Sequence, residues 1–364
     1  MKNTVLLADT MSFGGSERTV QILANNQNFG DNKLIIVSLA AIWKYPLNNN
    51  VEKHYIYKKN FHAFVKLLLI PITLIKLFRR LKKIQPEVVI SFHQQSHLLN
   101  IIVGKFLKYK TVISERAYIE LYYGKKNKFL KPIIRILYNK ATMILVNDIE
   151  IKESLKSFYK IKTKIDVINN LLDVSNFKKK KVTKNIQEFS FITIGRLSTE
   201  KNTKDLIIAF HKANIENAIL EIIGDGYLKE TLQSLSKELG IEDKVIFHGH
   251  QKDIIRFLTK ADVFVFTSLN EGFPNVVLEA MYCGLPIISY QFKAGITTIL
   301  ENGKYGILVP LNDVDLFADK MIFLATNKTA MEKYKELSSK RIHHFTNKEA
   351  YIKKYNTIIN TVSN

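Results

Sequence analysis

The chain has 364 residues, of which 46% are hydrophobic, so its length suits two domains that each bury a core. Its single cysteine excludes an internal disulfide and fits a reducing compartment. The formal net charge is +21 and lies almost entirely in residues 1–180, where 31 Lys and Arg face 12 Asp and Glu, which predicts an anionic partner there: a nucleic acid or an acidic membrane surface.

The first predicted strand, Thr4–Ala8, leads into a loop with Gly14 and Gly15 and then into a helical pattern at Val20–Ala24. A strand, a glycine-rich loop and a helix N-terminus allow backbone N–H groups to approach a phosphate. A plain connecting loop is the commoner outcome for a Gly-Gly pair alone. The spacing fits neither a dinucleotide fingerprint nor a Walker loop.

Residues 61–83 combine an apolar run with a cluster of Lys and Arg, and Pro71 interrupts them. The run Leu67–Ile75 is too short to cross a bilayer. An apolar helix that ends in cations is typical of an interfacial anchor beside anionic lipid, and we favour that interpretation because Pro71 breaks an ordinary long helix. The alternative is a core helix with a basic, exposed end.

Two further strands of the first half end in polar residues. His93 closes the predicted strand Glu87–His93, and Glu115 and Arg116 close the predicted strand Thr111–Arg116. A structural histidine and a structural salt bridge are the ordinary interpretations of such residues. The lysine-rich, unperiodic stretch 177–184 is the natural domain boundary.

The second half opens with a predicted strand, Phe189–Ile194, and a loop that carries Arg196 and Lys201 before a helix from Asp205. Two cations at a helix start oppose the helix dipole unless an anion bridges them. The loop is therefore predicted to bind a diphosphate. Asp313 and Asp315, in contrast, precede a helical pattern and are predicted to cap it and not to bind a metal.

The longest distinctive stretch follows a buried strand, Asp262–Ser268, where Gly272 and Pro274 force a turn into a short helix. In a parallel α/β unit, ligands bind outside the carboxyl ends of the strands. Glu271 lies at such an end and Glu279 lies within the helix, so both can accept hydrogen bonds from hydroxyls. From spacing alone, a helix-dipole role for Glu271 and a solvated Glu279 are equally good interpretations.

The stretch from Asn270 to Ser289, with its Glu-x7-Glu spacing, closely resembles the signature of the retaining glycosyltransferases of family 4. Gly195–Lys201 is similar to the family's Gly-Arg-Leu-x-x-x-Lys loop, and Gly14–Arg18 is similar to its Gly-Gly-x-Glu-Arg opening. Ser114–Arg116 resembles a subgroup that acts in surface-polysaccharide and lipid-linked oligosaccharide assembly, although Ala117 stands where that subgroup commonly has Asn.

This resemblance implies the α/β GT-B fold: two doubly wound, Rossmann-like domains that face each other across a cleft. The domains would be 1–170 for the acceptor, a linker at 171–188, 189–340 for the nucleotide sugar, and a C-terminal helix, 341–364, packed back on the first domain. The family usually has Asn-Pro-(Ile/Val)-Asp near residue 170, and the absence of that proline here would loosen the hinge.

The resemblance also assigns roles to individual residues. Arg196 and Lys201 would neutralise the donor diphosphate, Glu271 would bond the transferred sugar, and His93 would contact that sugar near its anomeric centre. Other substrate contacts would come from Gly14, Gly15, Glu17, Glu115, Arg116, His250, Gln251, Gly272, Phe273, Pro274, Asn275 and, on the ribose, Glu279. No metal and no other cofactor is implied.

The implied function is transfer of a hexose or N-acetylhexosamine from a nucleoside diphosphate sugar, with UDP expected, to a polyprenyl-diphosphate-linked glycan, with retention of configuration. The implied location is the inner face of the cytoplasmic membrane, with the basic first domain on anionic lipid. Two alternatives remain: a nucleotide-sugar epimerase of the same fold, and a basic protein that binds nucleic acid or membrane without catalysis. No aromatic-basic motif for nucleic acid is apparent.

Overall fold

The computed structural model describes residues 2–12, 14–26, 29, 32–123, 127–175, 177 and 188–363. The chain forms two compact units, Met1–Leu171 with Asn347–Asn364, and Leu172–Thr346. Most of the stretch expected as a linker, residues 178–187, lies outside the described residues. Leu172, inside the same predicted stretch, is buried in the core of the second unit, and its N–H donates to the Phe345 carbonyl at 2.8 Å.

The described residues contain thirteen strands and fifteen α-helices. The strands are β1 Lys2–Ala8, β2 Asn32–Ala40, β3 Glu52–Tyr57, β4 Val88–Ser91, β5 Lys110–Glu115, β6 Met143–Val146, β7 Ile165–Val167, β8 Phe189–Ile194, β9 Ala218–Ile223, β10 Val245–Gly249, β11 Val263–Phe266, β12 Ile287–Tyr290 and β13 Ile307–Val309. The helices are α1 Gly15–Asn25, α2 Ala63–Leu68, α3 Ile70–Ile84, α4 Gln94–Leu107, α5 Ile119–Tyr123, α6 Asn127–Tyr138, α7 Ile149–Ser157, α8 Thr203–Ala213, α9 Lys229–Glu238, α10 Ile255–Leu258, α11 Asn275–Tyr282, α12 Ile296–Ile299, α13 Val314–Thr326, α14 Lys328–Ile342 and α15 Lys348–Ser363.

The sheet of the first unit is covered by helices on both faces. Successive side chains of β1 point to opposite faces, so Val5 and Leu7 pack with α3 and α4, whereas Leu6 and Ala8 pack with α1. The C-terminal helix α15 packs into the core on the α1 face of this sheet, through Tyr351, Tyr355, Ile359 and other residues. The last helix thus belongs to the first unit, although it follows the second in the sequence.

The second unit repeats this architecture with six strands. On one face of its sheet, Leu206 and Phe210 of α8 pack with Phe317 and Met321 of α13. On the other face, Val277 and Met281 of α11 lie in a separate core. Both sheets are parallel, in the orders β3-β2-β1-β4-β5-β6-β7 and β10-β9-β8-β11-β12-β13. The predicted pair of doubly wound α/β domains is confirmed.

The strand order reverses direction at one point in each sheet. In the first unit β1 pairs with both β2 and β4, and in the second β8 pairs with both β9 and β11. The loops that leave β1 and β4, and those that leave β8 and β11, are therefore neighbours at the carboxyl edge. In doubly wound sheets a crevice at this switch point binds ligands.

Residues 61–83 were predicted to form either an interfacial membrane anchor or a core helix with a basic end, and the structure shows one helix exposed and one packed in the core. Pro71 stands in the first turn of α3, and a short helix, α2, precedes it. Leu77 and Leu81 are fully buried in the core of the first unit, whereas Phe64, Leu67 and Leu68 on α2 are between 64% and 72% exposed. Within the described ranges, helices both long and apolar enough to span a membrane are absent.

Candidate active site

After β1, the carboxylate of Glu17 packs against the backbone of Gly14. Glu17, in the first turn of α1, is 7% exposed. A Cβ atom on Gly14 would lie 2.3 Å from the Oε2 atom of Glu17, so only glycine leaves room for that carboxylate. The Tyr45 hydroxyl donates to the Gly14 carbonyl at 3.1 Å and accepts the Gly14 N–H at 3.4 Å. Gly14 was predicted to contact a phosphate, whereas the contact from Tyr45 is visible only in the structure.

Glu17 faces His93 across the switch point of the first unit. Nε2 of His93 lies 3.5 Å from Oε1 of Glu17, and Nδ1 accepts the backbone N–H of Asp9 at 3.2 Å. Because Nδ1 is the acceptor, the proton of the neutral imidazole is assigned to Nε2, which points at the carboxylate. Two residues 76 positions apart in the chain thus form one polar unit.

The pair perturbs the acid–base properties of both residues. Burial lowers the pKa of His93, but the hydrogen bond to Glu17 and the charges of Asp9, Glu17 and Glu115 outweigh burial and raise that pKa. Burial raises the pKa of Glu17, but its interactions with His93 outweigh burial and the pKa is lowered. Both shifts favour a charged His93–Glu17 pair, whereas the Asp9 N–H, which needs a lone pair on Nδ1, favours the neutral ring.

Glu115, the last residue of β5, is buried, with 2% of its surface exposed. One oxygen accepts the N–H groups of Arg116 and Ala117, each at 3.0 Å, and the other accepts the Tyr138 hydroxyl at 2.7 Å and the Gln94 amide at 2.5 Å. Burial raises the pKa of Glu115 despite these donors. With its oxygens held by the protein, Glu115 fixes the turn at residues 115–117.

Arg116 leaves that turn and donates to the Asn170 side chain, which Asn147 also contacts at 3.3 Å. Its guanidinium is therefore anchored at the ends of β6 and β7. The contact that the sequence offered for Arg116, a salt bridge with Glu115, is replaced by this amide interaction.

In the second unit, Lys201 and Glu271 form an ion pair across the β8–β11 switch point. The Ser268 hydroxyl also donates to Oε1 of Glu271, at 3.2 Å. The two charged side chains are 22% and 19% exposed, so the pair is only partly screened by water. The sequence analysis identified both residues but not their direct contact.

The loop that carries Lys201 is tied to the end of β11. A short 3-10 helix, Thr199–Lys201, leads to Asn202 in the left-handed conformation, and the Thr267 hydroxyl donates to the Asn202 carbonyl at 3.0 Å. Arg196, earlier in the loop, is exposed, and the part of the chain that the structure describes places no carboxylate within ion-pair distance of it. Arg196 is an exposed positive charge in the loop that carries Lys201, and it interacts electrostatically with the Glu200 carboxylate.

Two glycines after β9 allow this loop to pack closely. A Cβ atom on Gly224 would lie 1.8 Å from the Gly195 carbonyl oxygen, and one on Gly226 would lie 2.2 Å from the Leu197 carbonyl oxygen. The Leu197 N–H in turn donates to the Asp225 carbonyl at 3.0 Å. These glycines give close backbone approach to the loop of Arg196.

The signature turn lies between Glu271 and α11. Gly272, Phe273 and Pro274 precede Asn275, the first residue of the helix, and the first turn of the helix carries no acidic residue. Gly295 packs closely against this turn. A Cβ atom at position 295 would lie only 2.8 Å from the Cα atom of Phe273. Glu279 is half-buried in the second turn of α11.

His250 and Gln251 follow β10 at the edge of the second sheet. His250 is exposed, whereas the Gln251 amide donates to the His248 carbonyl and accepts from Arg256, both at 2.8 Å. Asp313 accepts the Leu316 N–H at 3.0 Å, which confirms its predicted capping role. In the described ranges, the structure contains no cluster of three or more His, Cys, Asp or Glu side chains suited to a metal ion.

Two sequence families match successive parts of the chain. The family described as "Glycosyltransferase Family 4" matches residues 13–176, and "Glycosyl transferases group 1" matches residues 174–341. The first match contains Gly14, Glu17 and His93, and the second contains Arg196, Lys201 and Glu271.

Among curated proteins, an uncharacterised glycosyltransferase of Methanocaldococcus jannaschii is 32% identical over 268 residues, 64% of this chain and 66% of that protein. The N-acetylgalactosamine-N,N'-diacetylbacillosaminyl-diphospho-undecaprenol 4-alpha-N-acetylgalactosaminyltransferase of Campylobacter jejuni is 30% identical over 230 residues, 61% of this chain and 62% of that enzyme. The chain thus spans slightly less than two thirds of the length of these relatives.

Among solved structures, the Anabaena protein HepE in complex with UDP and glucose superposes with a TM-score of 0.79 over 99% of this chain and 100% of that chain, at 16% identity. This likeness shows the fold alone. Together with the two family matches, it leads to one conclusion: the chain belongs to the group 1 glycosyltransferases of family 4, with the GT-B fold.

Proposed function

We propose that the protein transfers a hexose or N-acetylhexosamine from a nucleoside diphosphate sugar to a lipid-linked glycan, with retention of configuration and without a metal ion. The observation that carries this proposal is the Lys201–Glu271 pair at the switch point of the second unit, with the exposed Arg196 in the loop that carries Lys201. The Campylobacter relative is named for transfer to a diphospho-undecaprenol glycan, and HepE was solved with UDP and glucose; both support the proposed substrates.

The chemistry follows from the charges of these residues. As the bond between the anomeric carbon and the diphosphate breaks, negative charge grows on the leaving oxygen, and Arg196 and Lys201 stabilise it. The acceptor oxygen bonds to the anomeric carbon on the face that the diphosphate leaves, and the acceptor's proton passes to the departing phosphate. Glu271 accepts hydrogen bonds from the sugar hydroxyls, and Glu279 accepts them from the ribose.

In the first unit, we assign Glu17 to the acceptor and His93 to the transferred sugar near its anomeric centre. The imidazole bears its proton on Nε2 and can donate to a sugar oxygen when Glu17 moves or shares the contact. Glu115 acts through the turn at residues 115–117 as a positioning residue.

We also propose that the protein works at an anionic membrane surface. Two helices of the first unit expose apolar side chains next to cations: α2, and α6 with Phe129, Ile133 and Ile136 at 53–74% exposure. Lys131 and Arg135 lie on α6, which has no acidic residue. Apolar side chains flanked by cations are typical of helices that lie in a lipid interface.

The first experiment measures nucleoside diphosphate release from a panel of nucleotide sugars, with membrane lipid extract as acceptor and EDTA throughout. We expect release from one donor, and a loss of about 10²-fold or more for Glu271→Ala, because a group that contacts the reacting sugar is removed. Glu238→Ala, on an exposed position of α9, is the matched control and should be fully active. The anomeric configuration of the product, read by NMR, tests retention. Release that needs a divalent metal would contradict the proposal.

A further inference from the structure

Tyr227 is an exposed aromatic residue at the carboxyl edge of the second unit's sheet, outside the stretches that resemble the family's motifs. It lies in the loop that leaves β9, the neighbour of β8. The residue is 70% exposed, whereas the other exposed large hydrophobic residues among those described in this unit, Ile246, Leu311 and Phe323, reach only 37–41%. Most of its ring is therefore available to a ligand.

The hydroxyl of Tyr227 is held by the loop that carries Lys201. It accepts the Thr199 N–H at 3.0 Å and shares a hydrogen bond of 2.7 Å with the Thr199 hydroxyl. Thr199 is the first residue of the 3-10 helix that ends at Lys201. The side chain therefore extends from the loop after β9 to the loop after β8, and its far end is fixed there.

The backbone of Tyr227 is fixed as well, because both of its neighbours pack on Leu197. A Cβ atom on Gly226 would lie 2.2 Å from the Leu197 carbonyl oxygen, and the Leu228 N–H donates to that oxygen at 3.2 Å. Leu228 also packs against the core of the unit. With the backbone and the hydroxyl both held, the ring has little conformational freedom left to lose when a ligand covers it, which lowers the entropic cost of binding.

The strand order places Tyr227 on one side of the proposed diphosphate contacts. The sheet runs β9-β8-β11, so the loop of Arg196 and Lys201 lies between the loop of Tyr227 and the loop of Glu271. Neighbouring strands are about 4.8 Å apart. A nucleoside diphosphate sugar with its diphosphate at Arg196 and Lys201 and its sugar at Glu271 therefore extends its nucleoside toward the loop after β9.

We propose that the ring of Tyr227 stacks on the nucleobase of the donor. Every base has a flat π-face, and an aromatic side chain that stacks on it adds affinity without hydrogen bonds to the base edge. Tyr227 therefore makes a nucleoside diphosphate bind more tightly than its diphosphate alone. The inference rests on the proposed function and adds to it a residue that recognises the base.

The test compares two variants that both lack the hydroxyl and differ in the ring, Tyr227→Phe and Tyr227→Leu. Calorimetry on the full chain measures UDP, GDP and inorganic pyrophosphate, and the quantity of interest is the affinity of the tighter nucleotide relative to that of pyrophosphate. We expect this ratio to be about tenfold lower in Tyr227→Leu than in Tyr227→Phe, because only the phenylalanine can stack, while both variants bind pyrophosphate alike. The base protons of the bound nucleotide should shift upfield in NMR spectra of the wild type and of Tyr227→Phe, but not of Tyr227→Leu. Phe323→Leu, at a 40% exposed position of α13, is the matched control and should bind all three ligands as the wild type does.

Two results would overturn the proposal. Equal ratios in the two variants would show that the ring does not contact the base, and a Tyr227→Leu variant that loses pyrophosphate as strongly as the nucleotide would show that the residue only holds the phosphate loop. Nucleoside diphosphate release from the donor panel is measured in parallel. Release by the wild type together with equal ratios would reject the stack and leave the proposed function standing. A ratio that depends on the ring, without release from any donor, would support the stack while the proposed function fails.

Discussion

Lys201 and Glu271 are 70 residues apart in the chain, yet their side chains form an ion pair at the point where the strand order of the second sheet reverses. In the proposed function Lys201 contacts a phosphate and Glu271 a sugar hydroxyl, and the ion pair holds the two side chains together. A substrate that carries both groups can therefore engage two side chains whose rotamers are already restricted, which reduces the entropic cost of binding.

We predict that this pair is energetically coupled. Lys201→Ala and Glu271→Ala should each lower the free energy of unfolding by about 1–2 kcal/mol, because each leaves a partly buried charge unpaired. The double variant should lose less unfolding free energy than the two single variants together. In urea titrations we expect a coupling energy of about 1 kcal/mol. The exposed pair Lys212–Asp315, in the same unit, is the control and should show a coupling near zero. Equal coupling in the two pairs would contradict the prediction.

We predict that Gly14→Ala acts through Glu17. The new methyl group would lie 2.3 Å from Glu17 Oε2, so the carboxylate must move away from His93. We expect a loss of transfer rate of about tenfold or more, as for removal of a positioned polar group. In a Glu17→Gly background the steric conflict is absent, and Gly14→Ala should have little additional effect. Full additivity of the two changes in steady-state kinetics would show that the glycine has another role.

The Glu17–His93 pair predicts a pH window for stability. The raised pKa of His93 contributes stability that is fully present below its unfolded value of 6.5 and is lost as the pH rises through the folded pKa. The lowered pKa of Glu17 contributes stability that is present above 4.5 and is lost as the pH falls through its folded pKa. The stabilising effect should be greatest between about pH 4.5 and 6.5.

Urea unfolding of the wild type and Glu17→Gln at a series of pH values measures this window. The difference in unfolding free energy between the two proteins should be larger at pH 5.5 than at pH 9. The hydrogen bond from the Asp9 N–H to Nδ1 favours the neutral ring and limits the size of the effect. A difference that stays constant across the range would exclude the charged pair.

The exposed apolar face of α6 predicts that the protein binds vesicles that contain anionic lipid. Phe129→Ser/Ile133→Ser should reduce sedimentation with vesicles that contain anionic lipid about tenfold, since roughly two large apolar contacts are lost. Phe323→Ser, at a 40% exposed position of the second unit, is the matched control and should sediment as the wild type does. Replacement of Lys76, Arg79, Arg80, Lys82 and Lys83 by neutral residues tests the electrostatic part, and unchanged binding of both variants would refute the membrane proposal.

Much of the architecture was predictable because it depends on local patterns. Buried strands such as Val88–Ser91 read as short apolar runs, and Gly272 with Pro274 marks a turn whatever surrounds it. The loops of Arg196 and Glu271 were recognisable for the same reason, since a motif of adjacent residues is visible in one dimension. The edge strand β3 was missed, because its polar opening, Glu52-Lys53-His54, resembles a loop.

The contacts between motifs depended on the tertiary structure. The strand order brings β1 beside β4 and β8 beside β11. As a result, Glu17 contacts His93 and Lys201 contacts Glu271. Local propensity and hydrophobic period were enough to identify the loops at which we expect the chemistry. The pairing of those loops required the long-range packing of parallel strands, which no local pattern encodes.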